Sequence, residues 1–283
     1  MAEAPFPSAR IHEAHERVAA RLRELRLDAG LTGREVAART GWQTSKVSRL
    51  QTGTTLPADD DITAWCKACG AEGQAPDIIA AARNAGSMYM EWRRLQRTGL
   101  KRVQESRTPV HERTKAQRVY SSSVIPGMLQ TREYAAALLS NIARFHGTPD
   151  DSADAADARV ARSQIIRRPG HTFSVVVEES VLRRRVGGAE TMAAQLGHLL
   201  TLATLPAVSL GIIPASTPAI WPLETFTIYD DTTVYVELLT AALTISAPSE
   251  IAQYLAAFGE MADAAVFGQD AYRIIAGAIS ALG

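Results

Sequence analysis

Gln43, Thr44, Ser45, Lys46, Ser48 and Arg49 combine hydrogen-bond donors, acceptors and positive charge within a few consecutive positions. Short polar side chains at the start of a helix can exchange hydrogen bonds with base edges in a DNA major groove. An arginine one turn further on can reach guanine O6 and N7 together. Lys46 is equally suited to a phosphate oxygen. The segment that must position them is Gly33 to Thr52, GREVAARTGWQTSKVSRLQT. Ala37 is small where two helices have to touch, and Gly41 sits where the turn needs a left-handed backbone. Val47 and Leu50 supply the apolar face of the second helix. This spacing predicts a helix-turn-helix whose second helix presents a polar outer face. Arg34, on the first of the two helices, completes the expected DNA-binding set. Trp42 reads as an aromatic plug in the turn, contact with the DNA backbone being the other reading.

Other chemistry-bearing residues lack the patterns that catalysis or metal binding requires. Cys66 and Cys69 form the only CxxC pair, yet two ligands cannot complete a tetrahedral zinc site. They share a helical face with Ile62 and Trp65, which predicts core packing. His111, His146, His171 and His198 are scattered. No lysine follows Lys115, so Ser121 to Ser123 and every later serine lack the downstream lysine of a Ser-Lys protease. Glu178 and Glu179 would face opposite ways on a strand, a poor general acid/base pair. No enzyme activity, cofactor or metal is expected.

The chain has 283 residues, 30 basic against 30 acidic, so total charge does not indicate nucleic acid. Charge distribution is more informative. Bases outnumber acids from Arg83 to Arg118, including Arg93, Arg94, Arg97, Lys101, Arg102, Arg107, Arg113 and Lys115. Asp150, Asp151, Asp154 and Asp157 form a counterweight. The basic run reads as a solvated helical face or as phosphate attraction beside the DNA-reading module. Scarce cysteine and the absence of a signal-peptide pattern at the N-terminus point to the cytoplasm. Thr191 to Leu223 has no charged residue but is broken by Pro206, Gly211, Pro214, Pro218 and Pro222. It therefore reads as a helix, a buried strand and a proline-rich loop rather than a membrane span.

Helical spacing runs from Ala14 to Ala29, closed by Gly30. Thr32 with Glu35 forms a capping box for the next helix, and Asp59 to Asp61 open a fourth. Three divisions follow: a helix-turn-helix domain over 1–75, a basic helical connector over 76–118, and a regulatory or partner-binding domain over 119–283. In the last, Thr131 can cap a helix carrying Tyr134, Leu138 and Leu139. Strand patterns cover Thr172 to Val177, Val208 to Pro214, Glu224 to Tyr229 and Thr233 to Leu238. Asp230-Asp231 joins the last two as a hairpin. Helices are expected from Pro248 to Phe267 and from Gln269 to Leu282.

Val18 to Gly70 resembles phage-repressor-like DNA-binding domains. The resemblance implies that Gln43, Thr44, Ser45 and Arg49 meet base edges or flanking sugar-phosphate. Further on, Pro126-Gly127-Met128-Leu129-Gln130-Thr131, Glu133-Tyr134-Ala135, Glu179 with Leu182, Gly187-Gly188 and Val234-Tyr235-Val236-Glu237 resemble actinobacterial Scr-type, antitoxin-like regulators related to WhiJ. Ser163 departs from them, since that group usually has glutamine there. The expected fold is an all-α N-terminal domain plus a larger α+β domain with a mainly antiparallel sheet.

The resemblance implies a transcriptional regulator, often beside a nearby-encoded small protein that binds it. The expected DNA partner is a double-stranded operator, and one module covers only a half-site, so a homodimer is expected. Ile220 and Trp221 could anchor a protein partner. A small-molecule pocket and passive dimerisation are the alternatives for the C-terminal domain.

Overall fold

A computed structural model describes residues 7–84, 89–91, 99–218, 223–239 and 241–282. The chain divides into two compact units. One groups Met1–Tyr89 with Thr244–Ala252, and the other groups Met90–Leu243 with Gln253–Gly283.

The first unit is helical: α1 (Pro7–Asp28), α2 (Gly33–Thr40), α3 (Thr44–Gln51), α4 (Asp59–Cys69), a single 3-10 turn (Glu72–Gln74) and α5 (Ala75–Asn84). Val18, Leu22 and Leu25 recur at helical spacing on α1 and meet Val36, Val47, Leu50, Ile62 and Trp65 in one core. Trp65 is fully enclosed, and its indole N–H donates to the Leu22 carbonyl at 2.9 Å. This partner removes the cost of burying the indole's one polar atom. Ile78 and Ala82 of α5 join the same core, so residues 76–84 fold with these helices rather than as a separate connector.

In the second unit α6 (Leu100–Ser106) and α7 (Thr108–Arg113) precede β2 (Ala116–Ser121), while β1 (Tyr89–Glu91) lies before them. Then come α8 (Arg132–His146), α9 (Ser152–Ser163), β3 (Thr172–Glu178), α10 (Glu179–Arg183) and α11 (Ala189–Leu202). The chain continues through β4 (Val208–Ile213), β5 (Phe226–Tyr229), β6 (Thr233–Glu237) and β7 (Ala241–Ile245) to α12 (Pro248–Asp263) and α13 (Gly268–Ser280). The seven strands form one sheet in the order β1-β7-β6-β5-β2-β3-β4.

The sheet is mixed: mostly antiparallel, as the sequence leads one to expect, but with some parallel strands. β2 pairs parallel with β3, and β3 parallel with β4, whereas β5 is antiparallel to both β2 and β6. The physical reason is the helical chain between successive strands. α8 and α9 separate β2 from β3, and α10 and α11 separate β3 from β4; such long crossovers return the chain in the same direction. Residues 116–118, expected in a helical connector, instead begin β2, which is hydrogen-bonded on both sides.

Asp230 and Asp231 have φ of 48° and 53°, the left-handed pair of a two-residue hairpin between β5 and β6. The Asp230 carboxylate also accepts the Lys115 and Ala116 N–H groups, each at 2.8 Å, and so ties the hairpin to the start of β2. Gly211 on β4 has a different reason to be glycine: a Cβ there would lie 2.6 Å from the Phe267 ring.

The Pro126–Thr131 phrase is a buried hydrogen-bond junction. Gln130 donates to the Ile125 carbonyl at 2.6 Å, and Gln195 from α11 both donates to Leu129 O and accepts from Thr131 N–H, each at 2.7 Å. Thr131 then caps α8 by accepting from Tyr134 N–H. Ser163 donates to the Arg159 carbonyl at 2.8 Å and touches Gly127 O.

Candidate nucleic-acid interface

The local sequence fixes α2 and α3 before tertiary packing sets their angle. Thr32 Oγ1 accepts the Glu35 N–H, while the Glu35 carboxylate accepts from Thr32 N–H at 2.7 Å and from its hydroxyl. This reciprocal box defines where α2 starts. At its other end Gly41 adopts φ 71°, and both Gly41 and Trp42 donate N–H to the Ala37 carbonyl. Open space surrounds the position of a Gly41 Cβ, so the left-handed backbone and not crowding selects glycine. Ala37 is 4% exposed where α2 meets its neighbours, and Val47 and Leu50 are each 1% exposed beneath α3.

With those two residues inward, Thr44, Ser48, Ser45 and Arg49 fall on one outer arc, about 140° wide at ~100° per residue. All four are exposed, as are Gln43 just before the helix and Arg34 on α2. Their side chains make no hydrogen bond or ion pair among the described residues. No side chain caps α3 at Gln43. The first-turn N–H groups of such a helix favour an anion.

Lys46 departs from this outward set. It is half-buried on the flank of α3, with Nζ 2.6 Å from Asp61 Oδ1 of α4 and 4.2 Å from the centre of the Trp42 ring. Asp61 in turn accepts the Ala58 N–H and opens α4. Lys46 therefore braces α3 against α4. Trp42 packs against the core, its ring 6.4 Å from that of Trp65. Cys66 is buried in the same core and Cys69 is half-buried. Burial, aided by repulsion from the neighbouring Cys69, pushes the Cys66 thiol up to about 11.

Of the basic run before the sheet, Arg93, Arg94 and Arg97 lie outside the described residues, as do Ile220 and Trp221. Two of the described members are engaged nearby. Lys101 pairs with Asp154 at 3.6 Å, and Arg107 pairs with Glu237 at 3.0 Å. Asp151 accepts the Leu100 and Lys101 N–H groups, and Asp157 pairs with Arg132 at 2.6 Å. Glu178 and Glu179 have separate partners, the Tyr120 hydroxyl and Arg183 with the Ala215 N–H. Among the described residues no His, Cys, Asp and Glu side chains gather into a metal cluster, and no helix is long and apolar enough to cross a membrane.

A feature the sequence reading missed lies in the second unit. Arg107, Arg159 and Arg162 line one cavity of about 610 Å³. Arg159 and Arg162 stand three apart on α9, one helical face, which is the available signal.

Residues 17–76 match a helix-turn-helix domain, and residues 109–277 match a domain of unknown function, DUF5753. No curated protein and no solved structure matches the chain. The second match spans more than half of the 283 residues: the chain belongs to the DUF5753 family, with a helix-turn-helix domain ahead of the family's domain.

Proposed function

We propose that the protein is a sequence-specific, DNA-binding transcription regulator that reads its operator with the outer arc of α3. The observation carrying this reading is the coincidence of a helix-turn-helix domain with an exposed polar face bearing Thr44, Ser45, Ser48 and Arg49. A helix docking on a protein groove would show apolar anchors there. Arg49 is the base-reading residue, with Gln43, Thr44, Ser45 and Ser48 around it. Arg34 and the first-turn amides of α3 serve phosphate. Lys46 adds positive potential, but its ammonium is already shared with Asp61.

One such module covers a half-site, so the regulator acts as a homodimer on a near-palindromic operator with half-sites about one helical turn apart. Fluorescence-anisotropy titration against single and paired half-sites tests both claims. Cooperative, salt-dependent binding to the pair supports them. Equal, non-cooperative binding to unrelated duplexes contradicts them.

The C-terminal unit is the effector module in this reading. Likeness to antitoxin-like, WhiJ-related regulators supports a small protein partner. The cavity lined by Arg159 and Arg162 is a specific observation that favours a small molecule instead. Either effector must bind the DNA-competent and incompetent states unequally, since equal affinity shifts nothing.

A further inference from the structure

The cavity of about 610 Å³ is lined entirely by residues of the second unit. One part of its wall is apolar, including Val119, Leu138, Leu139, Ile142 and Phe226. Arg107, Arg159 and Arg162 also line it. Their partners differ. Arg107 has a carboxylate, Glu237 Oε1 at 3.0 Å, and lies 4.1 Å over the Tyr235 ring. Arg159 donates to the Gln104 and Gln130 amide oxygens at 3.0 and 2.6 Å, and Arg162 donates to the Gln104 carbonyl at 2.8 Å. These acceptors satisfy N–H groups but neutralise no charge. Among the described residues, neither Arg159 nor Arg162 forms an ion pair.

Charge on the wall is therefore unbalanced. Three arginines face two carboxylates, Glu224 and Glu237, leaving an excess of one positive charge (three minus two). His111, also on the wall, does not add to it: burial first, then Arg162 and Arg107, push its pKa down to about 3. Burial, with repulsion from Arg107, lowers Arg159 to about 10, and burial, with repulsion from Arg159 and Arg107, lowers Arg162 to about 9. Both remain charged near neutral pH, in raised-energy positions that an entering anion relieves.

We propose that this cavity binds an apolar monocarboxylate, its carboxylate held by Arg159 and Arg162 and its hydrocarbon body against the apolar wall. The volume is that of a small-molecule site, and guanidinium forks match carboxylate geometry. An excess of one positive charge favours a singly charged carboxylate over a phosphate dianion. The proposal rests on the small-molecule reading of the C-terminal unit.

Calorimetric titration of the full chain with octanoate, octanamide and inorganic phosphate, without DNA, is the test. Octanoate is expected to bind at least about tenfold more tightly than octanamide or phosphate, since only it offers both the charge and the apolar body. Arg162→Gln should weaken octanoate by about tenfold or more, and Arg162→Lys, which keeps a charge but loses the fork, should bind more weakly than the unaltered chain and more tightly than Arg162→Gln. Equal affinity for octanamide, tighter binding of phosphate, or no octanoate binding would overturn the proposal. If Arg162→Gln does not fold, the three-ligand comparison on the unaltered chain still decides. Because no DNA is present, failure here leaves the assignment of α3 intact. Loss of operator recognition would likewise leave this binding result intact.

Discussion

Removing the Arg49 side chain should separate DNA reading from folding. Arg49 is exposed and its guanidinium is unpaired among the described residues, so Arg49→Ala removes no hydrogen bond or ion pair among them. Surface substitutions of this kind shift stability by about 0.5 kcal/mol or less. A bidentate contact to guanine discriminates by about 1–3 kcal/mol, corresponding to roughly 5- to 150-fold in affinity. Arg49→Ala should therefore leave the unfolding midpoint unchanged and lower operator affinity within that range. The loss should vanish on a duplex whose contacted guanine has already been replaced. The assay is anisotropy at fixed ionic strength on the operator and on each of its single base-pair variants. A uniform loss across all duplexes would assign Arg49 to phosphate. An unchanged affinity would remove it from the interface, and either result refutes the reasoning.

Four further outcomes follow from the geometry. Lys46→Met leaves Asp61 without its ammonium partner, so stability should fall by about 1 kcal/mol, the value of a partly exposed pair, by urea titration. The salt slope of DNA binding should change by less than that expected for loss of one phosphate contact. Gly41→Ala should cost about 1 kcal/mol from its positive φ alone, because no atom crowds the new methyl, whereas Ala37→Leu should cost about 1–3 kcal/mol through overpacking. His111 is neutral when folded and its pKa lies below the unfolded value of 6.5, so its contribution is complete above that value. It is lost as pH falls towards about 3, at up to about 1.4 kcal/mol per pH unit, and His111→Gln should flatten that part of a stability–pH curve. Cys66, with its thiol raised to about 11, should resist iodoacetamide at pH ~8 in the folded chain and react once unfolded, as followed by intact mass.

Local signals carried the first unit. Gly41, the Thr32–Glu35 box and the inward pair Val47 and Leu50 each act within a turn or two of chain, so their consequences are legible from spacing. The same holds for the Asp230-Asp231 hairpin and the Thr131 cap. What spacing does not encode is which strands lie side by side. The direction of β3 and β4 depends on long crossovers, and β2 was obscured because Ala116–Ser121 mixes polar and apolar residues in a strand paired on both sides. At the candidate site the helical face is legible, but spacing alone places Lys46 outward. Asp61 and Trp42, which hold it, are brought to it by the packing of α4 and of the turn. Arg107 lies about fifty positions before Arg159 and Arg162, so their convergence on one cavity is a tertiary fact.

The central claim is that the outer arc of α3 reads DNA sequence. Selection from a random duplex pool with the full chain, and with a chain carrying Thr44→Ala, Ser45→Ala, Ser48→Ala and Arg49→Ala together, tests it most directly. The account predicts that the unaltered chain enriches two related half-sites about one helical turn apart, with a guanine among the specified bases. It also predicts that the altered chain, still folded, enriches none of them. Enrichment of the same motif by both chains, or of no motif by either, would contradict it.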